Sequence, residues 1–344
     1  MARKLTEARL WQDTLGVPGA LEATVESVRG DSGSGSALDV LSRASLRRLL
    51  VTGNGAAYYA GLALWAAALR NPLTGAEVVP VPAGLFAGRQ VRTGPGDVLL
   101  VVSSSGELRD LVEALPDLHV DATLVLTANP GSTLGRAADA VLTTRVMGQD
   151  AVTHTQAFAA NVVALLAVWA RLTGDADLAA AVTEAPRWAT ASIESAHGVA
   201  AEHGDRAAAW RGGIAIGEAG AIPAALETAL LLREVAAIPT EGLEAREGAT
   251  TGMYALGPGQ GVVGVGAASA LTAEALDVCR RTGADVITLP WPERCPAGLE
   301  PIVALAPAVA LAGAAGLARG LDVDTPPWTA AYYATARVKG EESA

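Results

Sequence analysis

The sequence predicts an α/β protein made of two doubly wound domains, each a parallel sheet with helices on both faces. Three observations lead there. Short apolar runs alternate with Ala-rich or amphipathic runs along the chain. The links between them are short and rich in Gly and Ser, which suits strands joined by crossover helices. From Gly213 onward the alternation starts again, so the second half repeats the first at coarse resolution.

Taken in order, residues 5–30 read as helical, with Trp11 and Leu15 on one side. GDSGSGS at 30–36 reads as a loop. Strands are expected at Leu49–Thr52, Glu77–Val81, Val98–Val102, Ala122–Thr127 and Ala140–Thr144. The first is followed by Gly53, Asn54, Gly55 and a helix to Leu69, and a helix over Thr155–Leu172 closes this half. Beyond Trp188 and His197, strands are expected at Gly213–Gly217, Gly261–Gly266 and Asp285–Leu289. Helices are expected at Pro223–Val235, Ala273–Arg281 and Val303–Ala318. The implied domains are a helical segment 1–36, a first domain 37–175, a second 176–335 and a tail 336–344.

Composition narrows the function. The chain has 344 residues, 51% hydrophobic and 18% charged, with a net charge of −11 and no basic block. Such a surface disfavours nucleic acid and anionic membranes, while a small phosphorylated ligand needs only a local pocket. Cys279 and Cys295 form no disulfide framework and no metal-ligand spacing. The start lacks the apolar core of a signal peptide. The apolar stretches Ala157–Ala170 and Ile302–Ala318 are interrupted by Asn161 and Pro307, fall short of a good membrane span and read as buried helices. A cytoplasmic protein is expected. GNGAAY lacks the third glycine of a dinucleotide fingerprint, so neither a cofactor nor a metal is expected.

The chemistry centres on GDVLLVVSSSGELRDLV. Five apolar residues, Val98–Val102, read as a strand buried on both faces. Ser103, Ser104, Ser105 and Gly106 follow at once. Such a loop opening a helix points hydroxyls and free N–H groups one way, with the positive helix end behind them, and suits a phosphate. Alternatively, the serines only cap and the glycine only turns. Strand ends in doubly wound sheets hold ligands near the topological switch, where Gly53–Gly55 and Ser103–Gly106 are both expected.

These segments resemble the sugar isomerase (SIS) domain family in its tandem, flavodoxin-like form. VTGNGAAYYAGLALW is similar to the family's first loop and helix, and VVSSSGELRDL to its phosphate-binding serine loop. TANPGSTLGRAADAVLTT, AVTHTQAFAANVVALL, IPAALETALLLREV and GLDVDTPPWTAAYYATARV follow in the family's order. The resemblance implies a phosphosugar or amino-sugar ligand bound by Gly55, Ala56, Ala57, Ser103, Ser104, Ser105, Leu108, His154 and Thr155. Ala56 and Ala57 stand where the family has a hydroxyl pair, and Leu108 where it has Thr. Three lost hydroxyls should weaken a phosphate site by several kcal/mol, at about 1.5–3 kcal/mol for each bond to a charged group. His154 is a candidate replacement.

The resemblance also implies that Glu234 shuttles a proton between C1 and C2, with Glu227 on the same helix. Leu231 replaces the family's lysine between them, and an apolar neighbour raises a carboxylate pKa. The family's E-x-x-H-G-P reads Glu244-Ala245-Arg246-Glu247-Gly248-Ala249, so Glu247 stands where a histidine opens the sugar ring. A solvated, charged turn is the alternative for that stretch. Arg337 is a poor stand-in for the family's tail lysine, because guanidinium does not release a proton. No glutaminase domain is expected, since the chain begins just before the SIS part. An isomerase- or deaminase-like enzyme, a non-catalytic sugar-phosphate sensor and a site retuned to an unphosphorylated sugar all remain open. A homodimer is expected, with the E-x-x-E-G stretch completing a neighbour's site.

Overall fold

Among the described residues, all nine strands of the computed structural model are parallel to their neighbours. The structure describes residues 4–30, 32–43 and 45–337, leaving aside the side chains of 32–34. Asp31 of the expected loop and residues 338–344 of the expected tail lie outside this range. Contacts group the chain into two units, each drawn from three stretches. One comprises Ala20–Val146, Ala160–Thr183 and Trp328–Ala344; the other comprises Met1–Gly19, Met147–Ala159 and Glu184–Pro327.

The first of these units holds β1 (Arg48–Gly53), β2 (Glu77–Pro82), β3 (Asp97–Val102), β4 (Ala122–Thr127) and β5 (Ala140–Thr143), in the order β2-β1-β3-β4-β5. Every residue of β3 and β4 is buried, as their unbroken apolar composition requires. Leu50, Leu99, Val101 and Val125 pack on one face with Phe86, Leu111 and Leu134. At the start of the central strands, Asp97 is fully buried and takes Nε and Nη2 of Arg48 at 2.8 and 2.5 Å. The guanidinium holds the Asp97 carboxyl below its usual range. Arg48→Ala leaves that carboxylate with the Gly94 N–H at 2.9 Å and the Arg47 guanidinium at 3.8 Å. It should lower stability by about 2 kcal/mol, discounted from a fully buried pair because Arg48 is partly exposed. An unchanged urea midpoint would show that the pair contributes nothing.

The second unit holds β6 (Gly213–Gly217), β7 (Thr240–Glu244), β8 (Gly261–Val265) and β9 (Asp285–Thr288), in the order β7-β6-β8-β9. Ile214, Ile216, Val262, Leu276 and Cys279 form one of its cores, which makes Cys279 a packing residue. Cys295 is half-buried, and burial pushes its thiol up to about 12.

Several expectations are corrected. The Gly/Ser-rich break is not a loop, because Ser32–Leu41 is a helix seated by the buried Ala37, Val40 and Leu41. Trp11 is buried but Leu15, the last residue of its helix, is exposed. β7 was read only as a charged motif. It is an edge strand whose TEGLE has one large apolar side chain, too little to register as a strand pattern. Among the described residues, the helices Thr155–Thr173 and Glu300–Ala318 are long and apolar enough to cross a membrane, contrary to the reading that both fall short. Their apolar windows are 89% and 83% buried inside the fold.

Candidate functional site

In the unit carrying β1–β5, the strand order reverses direction between β1 and β3, which is where ligands of such sheets bind. The two loops expected there are both there. The approach is tight: a Cβ on Gly53 would lie 2.8 Å from the Val102 carbonyl and 3.0 Å from the Tyr58 nitrogen. Gly55 turns the chain with φ +53° into the helix Ala56–Arg70. Ala56 and Ala57 lie half-buried in its first turn.

The serine loop is partly self-supporting. Ser103 is buried, and its hydroxyl accepts the Gly106 N–H at 3.1 Å. The Ser105 hydroxyl accepts the Glu107 N–H at 3.2 Å. Both serines therefore shape the loop while keeping an O–H to donate. The Ser104 carbonyl accepts Ala128 N–H and the Thr127 hydroxyl, each at 3.1 Å. Glu107 is buried, and its carboxylate takes the Thr133 N–H at 2.6 Å. The helix after the loop is Arg109–Ala114. Leu108 lies in the hydrophobic core and its backbone bridges Arg337, so its side chain presents nothing to a polar ligand.

Asn161 was read only as an interruption of an apolar run. It is 1% exposed and its Nδ2 donates to Ser104 Oγ at 3.3 Å. A single amide within that run was the available signal.

The other unit carries the glutamates. Glu227 and Glu234 lie seven residues apart on the helix Ile222–Ala236, with Leu231 fully buried between them. Glu227 is buried, and its Oε2 has no hydrogen-bond partner among the described residues. Burial, reinforced by the nearby Glu234, raises its carboxyl well above the ordinary range. Glu234 is half-buried, and burial pushes it up to about 7. A hydrogen bond from Thr153 Oγ1, at 3.4 Å, and the charge of Arg233 pull the other way. Thr153, buried and one residue before His154, was not singled out from sequence. His154 is half-buried. Thr155 is fully buried with its hydroxyl 3.5 Å from that of Thr14.

Glu247 is exposed and its carboxylate accepts the hydroxyl of Thr251, the residue just past the end of its helix. Glu244 caps that helix, taking the N–H groups of Arg246 and Glu247 at 2.8 and 3.0 Å. Arg246 pairs with Glu274 at 3.1 Å. The capped, charged turn therefore describes much of this stretch. Among the described residues no cluster of His, Cys, Asp and Glu is arranged to hold a metal.

The raised carboxyls make stability pH-dependent. In the native state both hold protons that the unfolded chain releases near the usual Glu value of 4.5. Their contribution is full below that value and falls as pH rises above it, in the case of Glu234 through about 7. Between pH 5 and 8 wild type should lose on the order of 2 kcal/mol relative to Glu234→Gln. Parallel urea midpoints for the two proteins at both pH values would contradict the raised pKa.

Comparison with known proteins bears on both units. The SIS domain family model matches residues 43–173. A glutamine–fructose-6-phosphate aminotransferase [isomerizing] from Pyrobaculum aerophilum is 31% identical over 210 residues, 58% of this chain. The match covers 34% of that relative's length, so the chain spans about a third of it. The C-terminal domain of glucosamine-fructose-6-phosphate aminotransferase from Francisella tularensis superposes with a TM-score of 0.79 at 18% identity. That superposition covers 94% of this chain and 100% of the other. Glucosamine-6-phosphate deaminase from Thermotoga maritima gives 0.73 at 16% identity, covering 93% and 98%. Tagatose-6-phosphate ketose/aldose isomerase from Escherichia coli gives 0.70 at 19%, covering 95% and 97%. These structural likenesses establish a shared fold over nearly the whole chain. The SIS domain family model matches the stretch 43–173 that contains the switch-point loops and the serine loop.

Proposed function

We propose that the protein is an aldose–ketose isomerase or a deaminase acting on a phosphorylated sugar or amino sugar, with two SIS domains in tandem (37–175 and 176–335). The observation that carries this reading is Glu234, whose carboxyl is tuned to about 7 on a buried helix face. A base with that pKa is near its optimum at neutral pH. The hydroxyls of Ser103, Ser104 and Ser105, with the N–H groups of Gly55 and Ala56, hold the phosphate. Glu234 takes the proton from C2 of the open aldose. The C–H electrons form the C1–C2 double bond of an enediol, and the carbonyl oxygen gains a proton. Return of the proton to C1, as the O2 hydroxyl gives up its proton to balance the one gained at O1 and O2 becomes the carbonyl, completes the isomerisation. Glu227, whose carboxyl burial raises, is the neighbouring acid on the same helix, and Glu247 assists ring opening once released from Thr251. A cytoplasmic homodimer belongs to the same proposal. The names of the relatives support the substrate class.

The test is incubation with fructose-6-phosphate, glucosamine-6-phosphate and their N-acetyl forms in D2O, read by NMR. Deuterium at C1 or C2 is expected with at least one of them. A second reading, a non-catalytic sugar-phosphate sensor, is favoured by the buried Leu231 and by the Glu247–Thr251 hydrogen bond. Thermal stabilisation by these ligands without any exchange would select it.

A further inference from the structure

Between Phe158 and Ala170 every residue is apolar except Asn161. Asparagine is a poorer helix former than alanine, and burying its amide is costly unless both ends are paired. Here only one end is. Nδ2 donates to Ser104 Oγ at 3.3 Å, while Oδ1 has no partner among the described residues. A buried amide that spends its donor on a loop hydroxyl and leaves its acceptor open calls for an explanation.

We infer that Asn161 is the positioning residue of the serine loop, orienting the Ser104 hydroxyl as a hydrogen-bond donor toward a bound anion. This rests on the reading of that loop as an anion site. The logic is one of valence. A hydroxyl has one hydrogen and two lone pairs, and an amide N–H can only donate to it. With a lone pair taken by Asn161, the Ser104 hydrogen turns away from the helix. The Ser104 carbonyl is held by Ala128 and Thr127, so the residue is fixed through its backbone as well. Ser103 and Ser105 are oriented within the loop by the Gly106 and Glu107 N–H groups. In each case an N–H acts on the oxygen and the O–H remains available. Three such donors suit an oxyanion and offer no acceptor preference for a cation. Asn161 is 1% exposed, so it acts through Ser104 rather than by touching the ligand.

The probe is inorganic phosphate, titrated by calorimetry into the whole protein. The variants are Asn161→Leu, Asn161→Asp, Asn161→Gln and Ser104→Ala, together with the double variant N161L/S104A. N161L should weaken binding about 10-fold, the worth of one oriented bond to a charged group. N161D should weaken it at least about 100-fold, since a carboxylate accepts the Ser104 proton and adds like charge. N161Q, which keeps the amide, should recover most of the affinity. The double variant should bind no more weakly than S104A alone. A purely structural Asn161 would instead lower the melting temperature and leave the two substitutions additive in affinity. Unchanged phosphate affinity in N161L, or additivity in the double variant, overturns the inference alone. Absence of phosphate binding by wild type overturns the anion reading and this inference with it.

Discussion

Glu234→Gln should lower turnover of the phosphosugar by about 10²–10⁴-fold, the range for removing a positioned general base. The substitution keeps the side chain's size and its hydrogen bond from Thr153, which is 3.4 Å away in wild type. KM should therefore change little, and the loss should fall on kcat. In wild type kcat/KM should rise with pH through about 7 as the carboxyl loses its proton, and in the variant that step should vanish. A variant with wild-type turnover would remove Glu234 from the chemistry. A variant inactive because KM alone had risen would make it a binding group.

Gly106→Ala should destabilise the protein by about 3–4 kcal/mol. Gly106 has φ +68°, a conformation that costs an L-residue roughly 1–2 kcal/mol. An added Cβ would lie 1.9 Å from Ser132 Oγ and 2.5 Å from Ser132 Cβ. Ser132 cannot retreat freely, because it is buried and its hydroxyl caps the helix Thr133–Ala137 through the Gly135 N–H at 3.1 Å. The forced backbone shift adds about 1–3 kcal/mol. Gly84→Ala is the control. It lies in the helix Ala83–Ala87 with open space at its Cβ, and should stabilise by about 0.5 kcal/mol. Equal unfolding midpoints for the two variants would show that the serine loop tolerates a side chain and is not built around its glycine.

What could be read from residues alone followed burial. Ala122–Thr127 and Gly213–Gly217 were expected to the residue, since a short apolar run between turn residues has few other uses. β7 escaped because an edge strand exposes one side and TEGLE carries little to bury. The helix Ser32–Leu41 escaped because its glycines and serines speak for a turn, while its apolar end is fixed only by packing. At the site, the serine triplet and the spacing of Glu227 and Glu234 were legible as motifs. The roles of Thr153 and Asn161 were not, since each depends on a hydrogen bond spanning 81 or 57 residues. Leu108 illustrates the converse, a position whose place in a motif says ligand and whose side chain says core.

The Leu10 N–H donates at 2.9 Å to the carboxylate of Asp324, 314 positions along the chain. The helix Arg9–Leu15 also packs on Glu300–Ala318. At roughly 5–20 residues per second, a ribosome needs about 15–60 s to make the intervening chain. During that wait Leu10 and Trp11, buried in the finished protein, have no partner helix to cover them. Greasy side chains near Leu10 thus stay uncovered while the 314 residues up to Asp324 are made, and productive yield should depend on chaperone supply more than final stability suggests.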